Sequence, residues 1–235
     1  MRNAAAGIVG LKFFKKIIFF FAGGIFLLWL VGMLLFRLVS PPLTLTMLIS
    51  AFENQRWIKH DSVSITKISP YLQRAVIASE DGRLCMHHGI DFNAVEDAVE
   101  DYQEKGRLRG ASTISMQVSR NVFLWTGGGA GRKMIEAPLA LALDAFWSKR
   151  HILEIYLNIA EWGPGVFGAE AAAHYYFHKP ASALSSFEAA RLAAILPNPI
   201  RWNAARPTPY IFRRAEIIQA RMVQLNRAQT QCVGL

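Results

Sequence analysis

The chain has 235 residues, 52% of them apolar and 18% charged, with 26 Lys+Arg against 17 Asp+Glu for a formal charge of +9. That apolar content excludes a disordered protein, and two cysteines exclude a disulfide framework, one bridge being the most they allow. Residues 1–40 hold 5 of the cations and no acid, which leaves 21 Lys+Arg against 17 Asp+Glu elsewhere. The bulk of the chain is therefore only mildly basic, which argues for a local site for acidic ligands rather than a nucleic-acid-binding surface.

From Ile17 to Phe36 the sequence reads IIFFFAGGIFLLWLVGMLLF, 20 residues without a charge. At about 1.5 Å per residue such a helix spans a hydrocarbon core of about 30 Å, so a transmembrane helix is expected over residues 17–37, behind a cytoplasmic tail of residues 1–16. The rival, a cleavable signal peptide, has an apolar region of roughly 7–15 residues and a small-residue cleavage site. This run is longer and ends in Phe36-Arg37-Leu38. Arg2, Lys12, Lys15 and Lys16 precede the span and only Arg37 follows closely, so the positive-inside bias places the N-terminus in the cytoplasm and the remainder outside.

Ser40-Pro41-Pro42 breaks the helix and opens a linker and membrane-proximal segment over residues 38–67. Within it residues 43–58 are apolar, weakly helical and suited to a membrane face, and Val63, Ile65 and Thr66 suggest a short extended stretch. Residues 68–235 are expected to form one mainly α domain. Ser69-Pro70 starts a helix that runs through Ala75–Ala78 to end near Gly82, with Glu80 in its last turn. Ser112 caps a second helix, where Ile114, Val118 and Val122 form the buried stripe and Thr113, Gln117 and Arg120 a polar one. Residues 127–131, Gly-Gly-Gly-Ala-Gly, read as a mobile loop. Helices follow at about residues 148–160, with Ile152, Tyr156 and Ile159 on one face, and at 169–177. Ser185 and Glu188 make a capping box for a helix that ends before Pro197. Pro207 and Pro209 precede a final basic amphipathic helix. Cys85 and Cys232 are expected as two unpaired, mostly buried thiols. Strand–helix alternation, a Walker loop, a dinucleotide fingerprint and zinc-type Cys/His spacing are all absent from the sequence.

By spacing alone, Glu136 three and four residues after Lys133 and Arg132 makes surface ion pairs worth roughly 0.2–0.5 kcal/mol. Glu80 is by the same standard a helix-end acid. Their surroundings say more. Glu80-Asp81-Gly82-Arg83-Leu84-Cys85-Met86-His87-His88-Gly89 is followed by Gly110-Ala111-Ser112-Thr113-Ile114-Ser115-Met116-Gln117 with Arg120-Asn121, then by Arg132-Lys133-Met134-Ile135-Glu136. Ile152-Leu153-Glu154-Ile155-Tyr156-Leu157-Asn158 and Glu188-Ala189-Ala190-Arg191 through Pro197-Asn198-Pro199 complete the series. Five such motifs in order, across about residues 68–202, resemble the peptidoglycan glycosyltransferases of glycosyltransferase family 51, the polymerising domain of bifunctional penicillin-binding proteins and of their single-domain relatives.

The resemblance implies a lysozyme-like α fold with a jaw in the outer leaflet of a bacterial inner membrane and the catalytic domain in the periplasm. It implies transfer of a lipid-linked glycan onto lipid II, with inversion and loss of undecaprenyl pyrophosphate. Because the chain stops soon after the fifth motif, no transpeptidase domain is expected. Glu80 is the implied general base and Glu136 the second carboxylate, near the pyrophosphate or its Mg²⁺. Arg120, Arg132 and Lys133 are the implied pyrophosphate clamp, Gln117, Ser112 and Thr113 further substrate contacts, and Asp81, His87 and Asn121 supports. Asp81 and His87 are as well explained by local structural hydrogen bonding, Ser112 by capping, and Tyr156 and Asn158 by the core. Lipid II, lipid-linked glycan, membrane lipid and proteins of a cell-wall synthesis complex are the implied partners. The sequence departs from the pattern at Leu84 for Phe, at Met116 for the first Gln of a pair and at Arg120 for Lys, and Ala137-Pro138 implies that the helix of Glu136 begins late or kinks. Two rivals remain: a lytic enzyme on the same scaffold, which has no pyrophosphate to neutralise, and a non-catalytic scaffold, for which Met116 is the one hint.

Overall fold

The computed structural model describes residues 2–106 and 110–235, in two compact units, Met1–Val39 and Ser40–Leu235. The first unit is dominated by α1 (Arg2–Leu35). This helix begins before Ile17, since the basic flank ahead of it holds Ala, Leu, Lys and Arg among its residues and no proline to stop it. Its stretch Phe14–Leu35, with a mean hydropathy of 2.5, is long and apolar enough to cross a membrane.

The second unit is mostly helical and already includes residues 40–67. It opens with α2 (Leu45–Glu53), capped by Thr44, whose hydroxyl accepts from Met47 N. The short strand β1 (Lys59–His60) follows. No extended stretch forms at Val63–Thr66; Ile65–Lys67 is a 3₁₀ turn. Long-range side chains claim its backbone: Asn158 bonds both the N–H and the C=O of Val63, at 3.0 and 2.9 Å, and Glu154 accepts from Ile65 N at 2.9 Å. Those groups are then lost to any sheet ladder.

Next comes α3 (Pro70–Glu80), with Ser69 as N-cap and Pro70 in its first turn, which packs the fully buried Leu72, Ala75 and Val76 into the core. After it, α4 (Phe92–Lys105) is capped by Asp91 and ended by left-handed Gly106, and none of its residues is buried. Beyond it lies α5 (Ile114–Phe123), whose cap is Thr113 and not Ser112: the Thr113 hydroxyl accepts from Met116 N and donates to Gly89 O, a second bond Ser112 is not placed to make. Gly89 is needed there, since its φ is +72° and a Cβ would stand 2.6 Å from Ala140 O.

The glycine run is not a loop throughout. Gly129–Gly131 is the first turn of α6 (Gly129–Phe146), which continues through Pro138 and carries Glu136 in its middle. α7 (Lys149–Ile159) is capped by Ser148 and buries Ile152, Tyr156 and Ile159. Strands β2 (Glu161–Gly163) and β3 (Val166–Phe167) follow it, giving a sheet of order β1-β3-β2, parallel between β1 and β3 and antiparallel between β2 and β3. The chain then forms α8 (Ala169–Phe177), α9 (Ser186–Ile195) with the Ser185/Glu188 capping box, α10 (Pro209–Gln224) and α11 (Arg227–Thr230). Two packing groups make the core, α3 with α9 and α10, and α5 with α6 and α7.

The cysteines are not free. Cys85 and Cys232 form a disulfide across 147 residues, with Cα atoms 5.5 Å apart. The last turns fold against the loop after α3, where Gln229 Nε2 donates to Gly82 O at 2.7 Å. Nothing local in the sequence announces a contact between such distant segments.

Candidate active site

Glu80 is the last residue of α3, with its side chain half-buried. The helix brings it opposite α5, from which Gln117 Nε2 donates to its Oε2 at 3.1 Å. Gln117 is itself held, its Oε1 accepting from the Tyr156 hydroxyl of α7 at 3.2 Å. Burial pushes the Glu80 carboxyl above its ordinary value, against the opposing pull of the Gln117 hydrogen bond and of the Arg214 charge. Burial also pushes the Tyr156 phenol well up, so that it stays a neutral donor. Three helices thus fix one proton-hungry carboxylate through two neutral side chains.

Asp81 and His87 do not touch this carboxylate directly. His87 Nε2 lies 2.9 Å from Asp81 Oδ1, and Asp81 Oδ2 accepts the Ile114 N–H at 2.9 Å. They pin the start of α5 to the end of α3, and so set where Gln117 stands. Asp81, His87 and Asp91 have a spacing suited to a metal ion. Asp91 is spent on Arg83 at 2.7 Å and on capping Ala94 N at 3.0 Å, so the group reads as a structural knot.

Beside Gln117 and Tyr156 opens a cavity of about 290 Å³. Arg120 and Asn121 of α5, Arg132 of α6, and Glu161 of β2 line it with them. Arg120 Nε donates to Asn121 Oδ1 at 3.2 Å, and Asn121 O accepts from Thr46 of α2 at 3.0 Å. Arg132 pairs with Glu136 one turn along α6, and its Nε bonds Gly127 O. This is no surface pair: the two side chains are 10% and 1% exposed. Gly128 permits the approach, since its φ is +80° and a Cβ would meet the Arg132 Cβ at 3.0 Å.

Some of the expected contacts stand elsewhere. Lys133, one residue on from Arg132, is exposed and does not line the cavity. Thr113 is buried and spent on Gly89, and Ser112 lies outside the cavity wall. A divalent cation at Glu136 does not fit, because that carboxylate is buried and already ion-paired with Arg132. Asn158 is wholly buried and serves the Val63 backbone.

Two groups escaped the sequence reading. Arg214 of α10 acts on Glu80 by charge, its Nε held by Ala194 O at 3.2 Å. Glu161 accepts from the Ser50 hydroxyl of α2 at 2.8 and 2.9 Å and from Gly165 N at 3.2 Å. Burial and the nearby Glu53 raise its carboxyl above the usual range. Two guanidinium groups and an acid on the cavity wall, with a base one hydrogen bond behind its Gln117, suit transfer chemistry in which a proton leaves one side and negative charge develops on the other.

Comparison with known sequences agrees. Residues 46–223 match the family model described as Transglycosylase. The chain is 51% identical over 192 residues to the biosynthetic peptidoglycan transglycosylase of Rhodospirillum centenum, covering 82% of this chain and 83% of that one. It is 46% identical to the protein of the same description from Cronobacter sakazakii, with 84% of each chain covered. To that of Pseudomonas aeruginosa it is 41% identical over 91% of this chain and 92% of the other.

Proposed function

The chain belongs to the transglycosylase family and is a peptidoglycan glycosyltransferase, and on that premise we propose that it extends a lipid-linked glycan with lipid II and releases undecaprenyl pyrophosphate. The observation that carries this reading is Glu80, raised in proton affinity and fixed through Gln117 and Tyr156, which line a cavity with Arg120 and Arg132.

Glu80 removes the proton of the acceptor sugar's 4-hydroxyl as its oxygen attacks the anomeric carbon of the donor. The bond from that carbon to the pyrophosphate oxygen breaks, and the linkage inverts from α to β. Burial raises the proton affinity of Glu80, which makes it a more competent proton acceptor. The departing diphosphate gathers negative charge, which Arg120 and Arg132 meet with planar donors suited to phosphate. Glu136 acts through Arg132, holding the guanidinium at the cavity wall. A cleaving enzyme would have no use for that arginine pair.

For the setting, we read α1 as a single-pass anchor with its N-terminus in the cytoplasm of a bacterial cell, and the catalytic unit on the periplasmic side of the inner membrane. α2 supports contact with a lipid surface because it is inverted. Thr46 and Ser50 turn inward to Asn121 and Glu161, whereas Leu45, Leu48 and Phe52 are exposed. Proteins of a cell-wall synthesis complex are the partners this setting suggests. The test is purified full-length protein with labelled lipid II in detergent: the reading expects glycan polymer from wild type and none from Glu80→Gln. A reporter joined after Leu235 should be active only outside the cytoplasm; activity inside would reverse the orientation.

A further inference from the structure

Glu161 belongs to no motif that named the reaction, and its placement gives it a task. It sits on β2, on the cavity wall that also includes Thr46 and Phe167, whereas the two guanidinium groups come from α5 and α6. Ser50 and Gly165 hold its carboxylate, the one hydroxyl proton of Ser50 shared between the two oxygens and the Gly165 N–H given to Oε1, both neutral donors. No ion pair to Glu161 forms among the described residues, and Arg120 and Arg132 are each engaged elsewhere, with Asn121 and Glu136. A half-buried carboxylate costs free energy unless something repays its desolvation, and the bonds from Ser50 and Gly165 leave lone pairs for the cavity.

The cavity is thus polarised, with cations able to take phosphate on one wall and an acceptor-only group on another. The ligand class that matches both is a sugar bearing a phosphate ester, whose ring carries hydroxyl or acetamido N–H donors beside the phosphate. We infer that Glu161 is a substrate-binding and specificity-determining residue, which accepts a hydrogen bond from a ring hydroxyl or acetamido N–H of the lipid-linked sugar whose pyrophosphate lies against Arg120 and Arg132. This rests on the proposed reading of the cavity as the site of a lipid-linked glycan. The task is separate from proton transfer, because Glu80 contacts Gln117 and is not part of the wall that holds Glu161.

The test is steady-state polymerisation by the full chain with lipid II and a set of its monodeoxy and desacetamido analogues, in wild type and Glu161→Gln. Glutamine keeps the size and an oxygen for Ser50 but loses the charge. Glu161→Gln should raise KM for lipid II about tenfold, the factor that goes with weakening one hydrogen bond to a charged group, and change kcat far less. One analogue, the one that lacks the donor, should show a raised KM in wild type and no further rise in Glu161→Gln. An unchanged KM in the variant overturns the inference. So does a KM raised equally for lipid II and every analogue, the mark of a residue that only ties α2 to β2. Should the variant not fold, the wild-type series still decides: if no single donor deletion raises KM, Glu161 reads none of them. Absence of polymerisation by wild type would instead defeat the proposed function, whereas polymerisation with an unaltered KM defeats only this assignment.

Discussion

Glu80 and Glu136 are both acids held within helical packing, each bound to a residue that lines one cavity, and they differ in those partners. Glu80 is bound by a neutral amide and keeps a raised affinity for protons. Glu136 is bound by a guanidinium one helical turn away. A carboxylate with a neutral partner remains available to take a proton, whereas one with a cationic partner is committed to holding a charge in place. The chemistry divides by what each acid touches, not by the residue type, which is the same.

The largest effect should come from breaking the first of the pair. Glu80→Gln is expected to lower turnover by at least about 10²–10⁴-fold while lipid II binding largely survives. Single-turnover kinetics beside a binding isotherm will separate the two, and near wild-type turnover removes Glu80 as base. Glu136→Gln should act on the fold as well as the reaction. It leaves Arg132 buried without its counter-charge, at a cost of about 3–5 kcal/mol that thermal denaturation will read. Replacing both, Arg132→Met with Glu136→Met, should recover most of that stability and none of the pyrophosphate binding. If the double variant binds a pyrophosphate mimic as wild type does, Arg132 is no part of the clamp.

A smaller change sharpens the contrast. The Gln117 hydrogen bond lowers the Glu80 carboxyl's value, so Gln117→Leu should raise it further. Because the base works deprotonated, the acid limb of the pH–rate profile should move to higher pH, with activity lost below the limb and largely kept above it. An unmoved limb would separate Gln117 from the base. Glu136→Gln should leave that limb where it is, since Glu136 acts on Arg132 and not on the proton.

Much of the fold was legible because caps and apolar stripes are local. Ser69-Pro70 and the Ser185/Glu188 pair stand where the helices begin. What stayed hidden is set by distance. α4 is the exception, passed over although legible: it has a sound cap in Asp91, a sound stop in Gly106 and an apolar stripe of Phe92, Val95, Val99 and Tyr102, which the fold leaves exposed. The choice of Thr113 over Ser112 as cap was made by Gly89, 24 residues away. Glu161 lies in a three-residue strand without a motif, and its partner Ser50 is 111 residues distant. In the site, spacing put Arg132 and Glu136 on one helix face but was silent on burial, and burial is what turns a weak surface pair into a fixed guanidinium.

The bond between Cys85 and Cys232 also sets an order of events. The loop that follows Glu80 can be locked only after Cys232, 147 positions beyond Cys85, has been made, and only where thiols are oxidised. Until then the segment carrying the base lacks its covalent tie to the turns that bear Cys232. A newly made chain still in a reducing compartment therefore holds its catalytic loop by hydrogen bonds such as that from Gln229 to Gly82 alone, and the enzyme reaches its final rigidity late, at the place where oxidation is possible.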